Sequence, residues 1–130
     1  MATTSKPEDR RRPERVASRI REEVSSALRR DLADPRLADV VLADVHVTDD
    51  LSIAHISIVV LNDDPANTRA AAARKVLAKL EGLLRKRVGD SLGMRRVPTL
   101  KFEVDRTREE VTRLDALLHE VNSELKKKTD

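Results

Sequence analysis

Histidine is the side chain best suited to proton transfer near neutral pH, and this 130-residue chain has three: His46, His55 and His119. Cysteine is absent, which excludes disulfides, thiolate metal sites and cysteine nucleophiles and suits a reducing compartment. His46 and His55 face each other across an expected hairpin, and Asp44 projects from the same side. Two histidines without a third clear ligand fall short of the donor set a metal site demands, so no metal is expected there. No Gly-rich phosphate loop with its lysine, no HExxH and no GxSxG is present. These residues supply no catalytic constellation and call for no cofactor, and the chain reads as a non-enzyme.

The basic residues are more informative than the histidines. The net charge is only +3, from 26 basic and 23 acidic side chains, but the charges are segregated. Residues 1–30 hold nine basic and five acidic groups (+4), 31–64 one and eight (−7), 65–101 ten and two (+8), and 102–130 six and eight (−2). Such segregation puts a strongly positive surface on a nearly neutral molecule, as a polyanion binder requires. Lys75, Lys79, Gly82 and Lys86 are spaced four, three and four residues apart, so on one helix they stack along one face. Gly82 costs that helix roughly 1 kcal/mol relative to alanine and needs a reason. Either it bends the helix, or its missing side chain lets a phosphate approach the backbone. Arg95 and Arg96 continue the basic face, Arg15 and Arg19 add to it from the N-terminal helix, and Arg11 and Arg12 add to it from the arm before that helix; Arg85 and Arg87 are weaker candidates because their side of the helix is less defined. With one Phe and no Tyr or Trp, bases cannot be stacked on aromatic side chains. RNA contact must run through Lys and Arg on phosphates, guanidinium stacking and backbone amides.

The elements that must position these residues follow from periodicity. Residues 1–12 read as a flexible basic arm, 13–125 as one domain of a size that supports a single modest core, and 126–130 as a basic tail. Pro13 suits a first helical turn, and Val16, Ile20, Val24, Ala27, Leu28 and Leu32 recur at helical spacing until Asp34-Pro35. Two alternating strands follow as a hairpin, the first with Val41, Ala43, Val45 and Val47 on one face, the second with Ala54, Ile56, Ile58 and Val60. Asp64 and Pro65 suggest the start of the next helix, and Gly89 and Gly93 its end. Leu100, Phe102 and Val104 mark a third strand. A capping-box spacing, Thr107 with Glu110, opens a last helix with Val111, Leu114, Leu117, Leu118, Val121 and Leu125 expected inward. The order is α-β-β-α-β-α, with the fourth element kinked at Gly82. This is an α+β pattern in which helices cover one face of a three-stranded sheet. No apolar run approaches the length of a membrane span or signal peptide, and a cytoplasmic protein is expected.

The stretches "RVASRIREEVSSALRRDLADPRL", "VTDDLSIAHISIVVL" and "GLLRKRVGDSLGMRRVPTLKFEVDRT", followed by "LDALL", resemble the ribosome-binding factor A family of bacterial small-subunit assembly factors. The most specific element is Arg95-Arg96-Val97-Pro98-Thr99-Leu100-Lys101-Phe102, with a glycine sixteen residues before the proline. The resemblance implies a type II KH-like fold whose GxxG loop is replaced by an Ala-x-Gly interhelical kink, here Leu80, Glu81 and Gly82, with leucine where the family has alanine. It further implies binding to free 30S subunits or their precursors and to 16S rRNA, help in late maturation and 16S processing, and departure before translation, by a protein expected to be monomeric. The alternative is a protein interaction module that dimerises through its C-terminal helix.

Overall fold

The computed structural model describes residues 11–106, 114, 116–122 and 125. Its elements are helix α1 (Arg11–Arg30), a short 3-10 turn (Pro35–Leu37), strands β1 (Val40–Val47) and β2 (Ile53–Val60), helices α2 (Thr68–Lys79) and α3 (Glu81–Leu92), and strand β3 (Thr99–Val104). The sheet order is β1-β2-β3: β1 runs antiparallel to β2 and β3 parallel to it. The observed architecture is the expected α+β one, a three-stranded mixed sheet with helices on one face. The parallel pair is reached by the α2–α3 crossover, as a parallel connection needs.

Period-2 burial along β2 puts Ala54, Ile56, Ile58 and Val60 into the core. They meet Val16, Ile20, Val24 and Ala27 of α1, Ala73 and Leu77 of α2, Leu84 and Val88 of α3, and Leu100 and Phe102 of β3 in one cluster. Arg11 and Arg12, ahead of Pro13, are helical and belong to α1 rather than to an arm.

The expected faces of β1 are half right. Val45 and Val47 pair with Ile56 and Ala54, but a bulge at Ala43 lets Leu42 pair with Ile58 while Asp44 pairs with Ser57. One extra residue reverses the phase of everything before it. Leu42 is therefore buried and Val41 exposed, opposite to the strict alternation. Arg21 of α1 donates to the Leu42 carbonyl at 3.0 Å, clamping the helix to the bulge.

Helix α2 starts at Thr68, three residues beyond Pro65, with Asn67 rather than Asp64 at its N-cap, and two aspartates further back accept from the N–H groups of its first turn. Asp64 accepts from the Thr68 N–H at 2.9 Å; Asp63 accepts from the Arg69 and Ala70 N–H groups at 3.1 and 2.9 Å. Burial pushes the Asp63 carboxyl up, but the Ala70, Arg69 and Asp64 N–H donors outweigh it and the net direction is down. Asp63→Ala leaves two of the first helical donors without their acceptor and is expected to cost about 1–2 kcal/mol; urea unfolding of the variant checks this.

The last helix departs from expectation. Leu114, Leu117, Leu118, Val121 and Leu125 are helical but 50–58% exposed, not inward. The core cluster is drawn from α1, α2, α3, the short 3-10 turn, the strands and their connections, and includes none of these five residues. Thr107, Glu110 and Val111, and the tail 126–130, lie outside the described residues. No helix among the described residues is long and apolar enough to cross a membrane.

Candidate nucleic-acid interface

The break between α2 and α3 falls at Leu80, the first residue of the expected kink tripeptide, with Gly82 two residues on. Leu80 has φ −90° and ψ 2°, ends α2 and begins α3. Its N–H donates to the Val76 and Leu77 carbonyls, both at 3.1 Å, and its own carbonyl accepts from Leu84 at 2.9 Å. The leucine at this position is half-buried against the core, so the fold accommodates the larger side chain. Glu81, only 17% exposed at its side chain, fixes the bend to the sheet. Its Oε2 accepts from the Leu100 N–H of β3 at 2.9 Å, and its Oε1 pairs with Arg85 at 3.2 Å.

Gly82 lies in the first turn of α3 with nothing within 4 Å of where a Cβ would stand. No packing neighbour demands a glycine there. Gly89 is the opposite case: it is buried, and a Cβ would meet Val97 Cγ2 at 2.8 Å, so α3 and the approach to β3 require its absence. Gly93, with φ +66°, ends α3 in the left-handed conformation. Gly82→Ala is expected to raise stability by up to about 1 kcal/mol through helix propensity. If the open backbone at Gly82 is where a phosphate rests, the same variant loses RNA affinity; thermal melting and RNA titration read the two effects separately.

Above Gly82 runs an open groove of ≈ 780 Å³. Arg12 enters it from α1; Arg85, Lys86 and Asp90 from α3; Asp50, Leu51 and Ser52 from the β1–β2 turn; Arg95 and Arg96 from the connection into β3. Five cations thus face two carboxylates. Asp50 is held by its turn: the Ser52 hydroxyl at 2.7 Å, the Thr48 hydroxyl at 2.7 Å and the Ser52 N–H at 3.1 Å all donate to its Oδ1. These donors keep its carboxyl at about 2.

The groove unites Arg12, Gly82, Lys86, Arg95 and Arg96, and adds Arg85, a weaker sequence candidate. It does not unite the rest. Arg11, Arg15 and Arg19 line a separate depression of ≈ 500 Å³ along α1, interleaved with Glu14 and Glu22, and Arg19 pairs with Glu22 at 3.5 Å. Lys75 and Lys79 are exposed on α2 outside both depressions, because the break at Leu80 ends the continuous helical face that would have stacked them with Lys86. Arg87 points the other way. It binds Glu23 at 3.2 Å, Asp31 and Ser26, tying α3 to α1, and both carboxylates raise its pKa, Asp31 most. Sequence reasoning missed Asp50, Ser52 and Asp90 as groove residues; the turn residues carry no helical or strand period that would have aimed them at α3.

His46 and His55 do meet across the hairpin, with ring centroids 6.5 Å apart and planes at 28°. They are on the sheet face away from the helices, and His55 Nδ1 takes Glu103 of β3 at 3.0 Å as its partner. Among the described residues no group of three histidine or acidic side chains is placed to hold a metal ion.

The family model described as ribosome-binding factor A matches residues 12–118. A ribosome-binding factor A of Desulforamulus reducens is 38% identical over 118 residues, which is 91% of this chain and 96% of that protein. One of Saccharopolyspora erythraea is 43% identical over 110 residues, 85% of this chain and 64% of that protein, so the chain spans less than two thirds of this longer relative. Among solved structures, the Thermotoga maritima putative ribosome binding factor A superposes with a TM-score of 0.61 at 23% identity, covering 76% of this chain and 90% of that one. A homology model of the Thermus thermophilus ribosome binding factor A, fitted into the cryo-EM map of a 30S complex, gives 0.54 at 22% identity, covering 74% of this chain and 93% of that one. At those identities the structural likeness is one of fold. The sequence match is broader in meaning: it runs from the first turn of α1, through the bend and the groove, into the last helix, and by it this chain belongs to the ribosome-binding factor A family.

Proposed function

We propose that this protein is a non-enzymatic RNA-binding factor of the cytoplasm that binds free 30S subunits and their precursors through 16S rRNA and assists late maturation and 16S processing. The observation that carries the reading is the groove over Gly82, where the N-terminal turn of α1, helix α3 and the connection into β3 bring five cations to one open surface. A phosphate backbone is the ligand that such a surface attracts, with affinity that falls as salt rises. Family membership supports the ribosome as the source of that RNA, and the Thermus relative's placement in a 30S complex supports the small subunit. Arg12, Lys86, Arg95 and Arg96 contact phosphates in this reading, with Gly82 allowing backbone approach; Arg11, Arg15, Arg19, Lys75 and Lys79 contribute field rather than direct contact.

Sedimentation of the purified chain with 30S and 50S particles at moderate salt tests it. Comigration with free 30S particles and not with 50S is expected, and absence from the 30S fraction would overturn the proposal. Depletion should also leave 16S precursors unprocessed.

A second reading, dimerisation through the C-terminal helix, is supported by the exposure of Leu114, Leu117, Leu118, Val121 and Leu125. Sedimentation equilibrium over a wide concentration range separates it from a monomer.

A further inference from the structure

We infer that the groove over Gly82 takes the backbone of A-form double-stranded RNA, in preference to unpaired RNA and to duplex DNA. The inference rests on the functional reading above and names the form of RNA that the same surface accepts.

Unpaired strands are gripped mainly by rings on which bases stack, at about 1–3 kcal/mol per base. The groove lining contains none. Phe102, the chain's single aromatic residue of the Phe, Tyr and Trp class, is 6% exposed in the core. His46 and His55 stack on each other on the far face of the sheet. Of the guanidinium groups that could substitute for rings, Arg85 is held by Glu81, which leaves Arg12, Arg95 and Arg96 as the only stacking planes in the groove. What remains is a set of charges held on a bend that Glu81 anchors to β3 and a helix that Arg87 anchors to α1. Helix and sheet segments fixed relative to one another suit phosphates already spaced in a duplex, whereas a flexible strand must first be ordered at an entropic cost.

The two carboxylates separate RNA from DNA. Asp50 and Asp90 repel a ligand that offers only phosphates, so in a purely phosphate-binding groove both are unfavourable. RNA offers a donor that DNA lacks: the 2′-hydroxyls displayed in the wide, shallow minor groove of an A-form helix. The donors from Thr48 and Ser52 converge on Asp50 Oδ1, so Oδ2 remains as an acceptor for such a group. Asp90 is exposed on α3 one turn beyond Lys86 and supplies a second.

The test is fluorescence anisotropy of the full chain with three probes of one sequence: an RNA duplex of about 16 base pairs, either of its unstructured separated strands, and the matching DNA duplex. The RNA duplex should bind at least about tenfold tighter than either separated strand and than the DNA duplex. Asp90→Ala should raise affinity for the DNA duplex and narrow the RNA preference. Equal or tighter binding of the single strands, or of DNA, overturns the inference even if 30S binding stands. Failure of the functional reading looks different: the variant Lys86→Glu/Arg95→Glu/Arg96→Glu would then bind 30S particles and all three probes as the unaltered chain does.

Discussion

Reversing Lys86, Arg95 and Arg96 to glutamate together should lower affinity for 30S particles by about 100-fold or more at moderate salt and leave the fold intact. All three are exposed, and the groove gathers them on one surface with Arg12 and Arg85. Each phosphate neutralised contributes roughly 0.7–0.9 to the slope of log affinity against log salt, so the slope should fall by about two to three when three contacts are lost. Exposed substitutions of this kind usually change stability by no more than about 0.5 kcal/mol. A matched control comes from the same charge block. Lys75→Glu with Lys79→Glu removes two cations and adds two anions on α2, outside the groove, and should weaken binding only through the general field. Binding by the triple variant that matches the unaltered chain, or equal losses from both sets, would count against the groove as the site.

The second large effect concerns stability. Leu84 is 1% exposed and sits in the core cluster that joins α3 to the sheet and to α1. Leu84→Ala should cost about 2–5 kcal/mol, the range for truncating a buried leucine to a cavity. Against a typical domain stability of about 5–15 kcal/mol this is a large fraction. The neighbouring Leu83 is 59% exposed, and Leu83→Ala should lie within about 0.5 kcal/mol of the unaltered chain. Urea denaturation of the two variants side by side reads the difference between adjacent positions on one helix. A loss below about 1 kcal/mol for Leu84→Ala would mean that α3 is not held by the core as its burial implies.

Much of the fold is legible because its elements bury one face against a single partner. Val16, Ile20, Val24 and Ala27 at helical spacing, and Ala54, Ile56, Ile58 and Val60 at strand spacing, fill the core as their periods require. The features that escape are those in which two periods compete or a long-range contact decides. The run Val40-Val41-Leu42-Ala43 is apolar on both faces, so the bulge leaves no mark on its pattern. The start of α2 is set by where Asp63 and Asp64 can reach, and two adjacent aspartates before a proline suggest an earlier start. The apolar spacing of Leu114 through Leu125 shows that one face of a helix is greasy; it does not show what that face meets.

The candidate site divides along the same line. Basic residues and Gly82 are visible as a group because they are close in sequence. Arg12, Arg95 and Arg96 join Lys86 only through the packing of α1 and the entry to β3 against α3. Lys75 and Lys79, nearer to Gly82 in sequence than Arg95 is, fall outside because Leu80 changes the direction of the chain. Gly82 itself stands out in the sequence as a weak point in a helix that needs a reason. The open space beside it removes side-chain packing as the reason for a glycine there.

The parallel pairing of β3 with β2 also governs when binding competence can arise during synthesis and refolding. The β1–β2 hairpin closes over a five-residue turn and belongs to the microsecond class of events. Ile53 and Thr99 can pair only after the whole α2–α3 crossover is made, a distant closure that slows folding. Arg95 and Arg96 reach their places in that last step, so a refolding chain should recover its hairpin signal before its affinity for RNA, and a ribosome-bound nascent copy should remain silent toward rRNA until β3 has docked.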